Sequence, residues 1–353
     1  MPEPSTTINK VPDIPSKPWK KNTMPRRVLA IRLQAMGDLV ITLPYLQQLK
    51  KMLPAGSRLD LLTREEVNAI PENIYLFDRV YSISGGRNLK KQLLFTGLLL
   101  PKLMLQRYDV VIDLQNNIVS EIVRKSLIPT AWSVFDRFSP IAAGESTRLT
   151  IEAIKLGKCY ADNTGFTFRN EYGHISILKD NGWDGSSELI VLNPAGAFPT
   201  RNWSIENYAD FARLWLERFP RSQFLIIGIT PITEKAATLK KALGNKLINL
   251  VNKTTPAQAF AIIQKVRFVL SEDSGLMHMA WISGIPVLAM FGSTRSVRAT
   301  PLGNHTLLLH SSDLPCGNCM LETCTYGDTH CLTRYTAQFV FEKAILLITN
   351  VSG

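Results

Sequence analysis

A carboxylate placed where a strand gives way to a helix can take a proton from a substrate hydroxyl, and Asp38 stands at such a place. It closes Arg32-Leu33-Gln34-Ala35-Met36-Gly37-Asp38, at the end of the strand-like run 26–33. Gly37 permits a tight turn there. Asp is also a good helix cap, so spacing alone leaves a base and a cap both open. No G-x-G-x-x-G accompanies the turn, so it carries no dinucleotide fingerprint.

Two later segments could handle an anion. In Asn193-Pro194-Ala195-Gly196-Ala197-Phe198-Pro199-Thr200-Arg201-Asn202-Trp203 a strand ends in a loop holding Gly196 and the cation Arg201. Backbone N–H groups and a guanidinium together suit a phosphate, although a plain loop with a solvated arginine reads the same way. In Ser271-Glu272-Asp273-Ser274-Gly275-Leu276-Met277-His278 a strand opens into a helix whose first amides would favour negative charge. His278 falls about one turn into that helix, as a site residue or as a packed core histidine. Phe291-Gly292-Ser293-Thr294 ends the next strand at the same edge, so Ser293 adds a hydroxyl.

A fourth cluster is Cys316-x2-Cys319-x4-Cys324-x6-Cys331, with His330 beside its last member. The C-x2-C half fits zinc, but the remaining spacing fits standard zinc modules poorly. A structural loop with reduced thiols, or a structural metal, is preferred to any catalytic metal. Cys159 reads as a small buried hydrophobe.

The elements that must position these residues follow one grammar. Strand-like runs at 26–33, 58–64, 79–83 and 109–115 alternate with helical stretches. A second series begins at 188–196 and continues through 222–229, 246–251, 267–273 and 286–292, with helices at 207–219, 231–244, 256–266 and 274–284. Parallel strands need such crossovers, so each half reads as a doubly wound α/β unit. A boundary and hinge are expected in 143–185. The expected division is a disordered basic leader at 1–25, an N-terminal Rossmann-like domain at 26–170, a C-terminal one at 186–335 and a closing helix at 336–353. A ligand would lie in the cleft at the carboxyl ends of both sets of strands.

Composition agrees with two domains. The 353 residues are 45% apolar and 20% charged, which excludes a disordered or fibrous chain. The stretch 93–105 is broken by Pro101 and Lys102, so no membrane span is expected. A net charge of +11 favours anionic partners without choosing among them. The start of the chain lacks the apolar segment of a signal peptide, so a cytoplasmic location is expected. The basic residues are spread out and no nucleic-acid-binding signature occurs, so nucleic acid is not expected as a partner.

Taken in order, IRLQAMGDLVITLP, NPAGAFPTRNW, SEDSGLMHMAWISGIPVLAMFGSTR and PCGNCMLETCTYGDTHC resemble the ADP-heptose:lipopolysaccharide heptosyltransferases, glycosyltransferase family nine. The resemblance runs from about residue 26 to the C-terminus. It implies the GT-B fold, two facing Rossmann-like domains, and metal-independent, inverting transfer of heptose from ADP-heptose to the lipopolysaccharide inner core, with no cofactor. It makes Asp38 the general base and gives Arg201 the leaving diphosphate. Ser274, Gly275 and His278 would form the phosphate site, and Asp273 would contact donor hydroxyls. Gly196 and Ser293 would complete the donor site, with Glu234 as a ribose acceptor or an ordinary surface glutamate. Another nucleotide sugar or a different glycan acceptor would need the same scaffold.

One departure concerns the acceptor. After the run 109–115 the family usually has a glycine and then a basic residue before serine. Here Asn116 and Val119 hold those places, ahead of Ser120. Arg124, Lys125, Arg137 and Arg148 are the candidates to replace that charge. The acceptor lipid also implies transient contact with the inner face of the inner membrane.

Overall fold

The computed structural model describes residues 14–352. Its strands are β1 (Ser16–Lys17), β2 (Arg27–Ile31), β3 (Arg58–Arg64), β4 (Arg79–Ile83), β5 (Val110–Asp113) and β6 (Ala131–Val134) in one sheet. The second sheet holds β7 (Glu188–Asn193), β8 (Ser222–Ile226), β9 (Leu247–Asn249), β10 (Phe268–Glu272), β11 (Val287–Met290) and β12 (Thr306–Leu309). The spatial orders are β1-β6-β5-β2-β3-β4 and β12-β11-β10-β7-β8-β9. All neighbours are parallel except β1 and β6. The central strands are apolar at successive positions, as in Val28-Leu29-Ala30-Ile31, because helices cover both faces.

In each sheet the order reverses at the middle, between β2 and β5 and between β7 and β10. Parallel strands leave a crevice at their carboxyl ends at such a switch point. The registers Ile31↔Asp113 and Asn193↔Ser271 end the two central pairs level with each other. The loops carrying Asp38, Asn116, Gly196 and Ser274 therefore leave the sheets side by side. These are the paired α/β domains of the GT-B architecture.

One apolar cluster joins the halves. The helix Met36–Met52 buries Leu39, Val40, Leu43, Leu46 and Leu49, and packs on the helices Ala143–Glu152 and Gly275–Ile282. Met277 and Trp281 continue that cluster into the second sheet. A second core lies on the other face of the second sheet. There Trp215 stacks on Phe268 with centroids 5.2 Å apart, and Val340 and Ala344 of the C-terminal helix Ala337–Ser352 close it.

One expectation needs correction. The leader expected at 1–25 is ordered over its described part. Ser16 pairs with Ser133, the Trp19 amide donates to the Ile154 carbonyl at 2.8 Å, and the Trp19 indole donates to the Thr23 carbonyl. β1 thereby covers the edge that β6 would otherwise expose. Residues 1–13 lie outside the described part. The stretch expected as a hinge holds the helices Ala143–Glu152 and Glu171–Asp180, the second packed on Pro256–Ile263 of the other half.

Candidate active site

Asp38 is the third residue of the helix Met36–Met52, and its Oδ2 accepts from the Ala35 amide at 3.1 Å, so it does cap the helix. The same oxygen meets Nη2 of Arg32 at 2.9 Å. Arg32 is buried, donates Nη1 to the Leu114 carbonyl and lies over the Phe135 ring. Among the described residues Oδ1 of Asp38 has no hydrogen-bond partner. The side chain opens into a cavity of about 380 Å³ that Gln115, Asn117, Arg137, His278 and Arg298 also line. One oxygen is anchored, then, and the other can take a proton.

Of the four basic residues considered for the acceptor, only Arg137 lines this cavity. Arg124 reaches toward Asp113 at 3.6 Å and stacks on Trp132. Lys125 pairs with Glu121, and Arg148 pairs with Glu145 and Glu152. Arg298, from the opposite domain, donates Nη2 to the Arg137 carbonyl at 2.7 Å and supplies a second charge that the sequence did not single out.

On the other side of the cleft a larger cavity, about 750 Å³, is lined by Gly196, Phe198, Asn202, Ile229, Ile232, Lys235, Thr255, Ser274 and Gly275, among others. Its loop 194–203 is held from behind by Glu272. That carboxylate is fully buried and accepts from the Gly196 amide at 2.6 Å through Oε2 and from the Trp203 amide at 2.7 Å through Oε1. Lys235 binds the same loop from the opposite wall, through the Pro194 carbonyl and Oδ1 of Asn202. Burial raises the Glu272 carboxyl to about 7, while Lys235 and the two loop amides pull it down. Burial in turn lowers Lys235, against the attraction of Glu272.

Gly196 is required by this closeness. A Cβ there would sit 2.3 Å from the Arg201 carbonyl oxygen and 2.9 Å from Oε2 of Glu272. The loop brings Arg201 against Phe198, with Nη1 at 3.7 Å from Oδ2 of Asp273. Nε of Arg201 is buried without a partner among the described residues.

Ser274 is the N-cap of the helix Gly275–Ile282, but its side chain makes no cap bond. Its hydroxyl instead accepts from Nδ2 of Asn193, leaving the first helical amides without side-chain partners at the cavity wall. The space before Gly275 is open. His278 is buried, its Nδ1 unpaired among the described residues, and it lies close to Gly37. Burial lowers its pKa, opposed by the charges of Asp273 and Asp38. Arg32, Asp38, His278, Asp273 and Arg201 thus follow one another across the domain junction.

Two expected donor residues lie elsewhere. Glu234 is exposed on the first turn of the helix Thr233–Leu243, while its neighbour Lys235 faces the cavity. Ser293 is buried against Thr200, hydroxyl to hydroxyl at 2.9 Å, and lines a separate cavity of about 250 Å³ with the four clustered cysteines. Those cysteines are free thiols. Among the described residues no three His, Cys, Asp or Glu are arranged to hold a metal ion, so the metal-knuckle geometry is not found.

Glu272, Lys235, Asn193 and Arg298 were the residues missed. Glu272 sits inside an apolar strand, where a charge signals a buried partner. Lys235 and Arg298 carry no such signal, because either would serve equally well as a surface charge.

The chain is similar to known proteins in sequence and in fold. The family described as glycosyltransferase family 9 (heptosyltransferase) matches residues 173–330. Lipopolysaccharide heptosyltransferase 1 of Pseudomonas aeruginosa is 26% identical over 322 residues, covering 86% of this chain and 88% of its own. A family 9 glycosyltransferase structure from Veillonella parvula superposes with a TM-score of 0.76 at 18% identity, covering 92% of this chain and 97% of its own. The Escherichia coli heptosyltransferase WaaC, solved with ADP-2-deoxy-2-fluoro heptose, gives a TM-score of 0.64 at 19% identity, covering 91% and 99%.

Proposed function

We propose that the chain is a member of glycosyltransferase family 9, the heptosyltransferases, whose model its residues 173–330 match, and that it transfers heptose from ADP-heptose to the lipopolysaccharide inner core in a single inverting displacement. The observation that carries this reading is the meeting of the two cavities. Met36 and Ser274 line one, Asp38 and His278 line the other, and only a few residues of two packed helices separate them. A donor in the larger cavity would present its anomeric carbon at that junction.

Each step has a group to perform it. The free oxygen of Asp38 takes the proton from the acceptor hydroxyl as that oxygen attacks the anomeric carbon. The bond from that carbon to the diphosphate oxygen breaks, and ADP departs with its negative charge. Arg201, with Nε unpaired, and the first amides of the helix Gly275–Ile282 meet that charge where it develops. His278, held toward its neutral form by burial, adds a polar edge without a second cation. Asp273 orients Arg201. Ile229, Ile232 and Thr255 give the adenosine a largely apolar bed, with Lys235 at its rim.

The acceptor enters beside Arg137 and Arg298, two cations that suit an anionic glycan. Titration calorimetry with ADP, GDP, UDP and CMP tests the donor half. Selective ADP binding supports the reading. A preference for UDP or GDP would keep the fold and the base but discard heptose.

A further inference from the structure

The helix Leu89–Met104 carries two apolar stripes where a surface helix needs one. Gln92, Thr96, Leu99 and Leu103 turn inward against the outer face of the first sheet. On the opposite side Leu94 is 62% exposed, Leu98 70% and, just past the end, Leu105 78%, with Phe95 and Met104 also in solvent. The outward face of a soluble helix is normally polar, and a contiguous exposed apolar patch marks an interaction site. The neighbouring helix Ile118–Ser126 packs beside it and exposes Ile118 and Ile122. That second helix begins next to Asn117, which lines the Asp38 cavity.

Charge selects the occupant. From Arg79 to Tyr108 there is no aspartate or glutamate, while Arg87, Lys90, Lys91, Lys102 and Arg107 frame the exposed leucines. A second copy docked on this face about a twofold axis would set lysines against lysines, which disfavours self-association. Lipid phosphates offer the opposite sign, and acyl chains accept the leucines. No helix among the described residues is long and apolar enough to cross a membrane. A helix lying in the interface plane meets both requirements.

We propose that the Leu89–Met104 face, extended by Ile118 and Ile122, docks the protein on an anionic phospholipid bilayer. Leu94, Phe95 and Leu98 enter the headgroup boundary, and the flanking lysines contact phosphates. This orientation sets the mouth of the Asp38 cavity beside the lipid surface, where a lipid-linked acceptor would emerge. That last point rests on the transferase reading; the docking itself does not.

The test is co-sedimentation of the full chain with vesicles of phosphatidylcholine alone or mixed with phosphatidylglycerol, without donor or acceptor. The wild-type chain is expected to bind the mixed vesicles, to release them as salt rises, and to ignore the neutral ones. Leu94→Glu/Leu98→Glu should weaken binding about tenfold or more while melting temperature and ADP affinity stay unchanged, since both leucines are exposed. Lysine-to-glutamine changes at Lys90, Lys91 and Lys102 should each cost about fivefold, the equivalent of ~1 kcal/mol per basic residue at an anionic surface. Equal binding to both vesicle types overturns the proposal, as does undiminished binding by the double glutamate variant. So does a wild-type dimer that this variant converts to monomer, because a second copy would then occupy the face. ADP titration of the same samples reports separately on the transferase reading.

Discussion

Arg32 and Asp38 face each other across the turn that follows β2, Nη2 2.9 Å from Oδ2, and only the aspartate reaches solvent. The Leu114 carbonyl and the Phe135 ring fix the guanidinium, so the carboxylate it holds is fixed too. The helix cap from Asp38 to Ala35 adds a second restraint on the same oxygen. Capping occupies one oxygen and leaves the other for the proposed proton transfer.

Asp38→Ala should therefore lower turnover about 10²- to 10⁴-fold, the usual share of a general base. ADP affinity should be unchanged, because the larger cavity keeps every wall. Calorimetry beside a steady-state assay separates the two effects, and a matching loss of ADP binding would remove the base assignment.

Arg201→Ala should weaken ADP binding by about ten- to a hundredfold, the worth of one charged hydrogen bond or two. It should also slow turnover, since in the proposed mechanism the same charge meets the leaving diphosphate. Unaltered affinity and rate would take Arg201 out of the site.

Glu272 predicts opposite responses to pH in stability and in binding. Its carboxyl titrates near 4.5 when unfolded and about 7 when folded, with burial the main cause and Lys235, Tyr208 and the Gly196 and Trp203 amides opposing it. Between those values the folded chain keeps a proton that the unfolded chain has released. Stability should accordingly fall as pH rises through this window, by about 3 kcal/mol in all. ADP affinity should rise over the same range, as the ionised carboxylate grips both loop amides. Glu272→Gln cannot titrate, so urea unfolding at pH 5 and pH 8 should show the variant gaining on the wild type. A constant difference between the two would contradict the assignment.

Gly196→Ala should cost about 1–3 kcal/mol and loosen the loop that carries Arg201, because the added carbon collides with backbone that cannot turn aside. Thermal unfolding and ADP titration measure the two consequences. An alanine variant as stable and as tight in binding as the wild type would show that the loop is free to move.

The sequence disclosed what periodicity and turn chemistry encode. The alternating runs around Val28, Leu61, Ile190 and Leu270 mark the central strands, and Asp38, Gly196 and Ser274 mark the loops at both switch points. β1 was not legible, since two residues carry no period and their pairing comes from the bare edge of β6. β6 and β12 were not read either, although each is as long as β5 and β11. The helix Ala143–Glu152, with Gly144, Ser146, Thr147 and Thr150 among its ten residues, takes its stability from packing on the helix Met36–Met52 rather than from propensity. At the site, Ser293 and Glu234 stand outside the lining of the larger cavity for a common reason. Being near a strand end or a helix start does not decide which way a side chain faces. Arg298 was invisible because its importance depends on the opposite domain.

The most direct measurement is transfer itself: purified protein, ADP-heptose and a heptose-free lipopolysaccharide core, comparing wild type with Asp38→Asn. The account predicts ADP release matched by product with inverted anomeric configuration in the wild type, and a loss of both in the variant despite normal ADP binding. Retained configuration, or a variant as fast as the wild type, would contradict it.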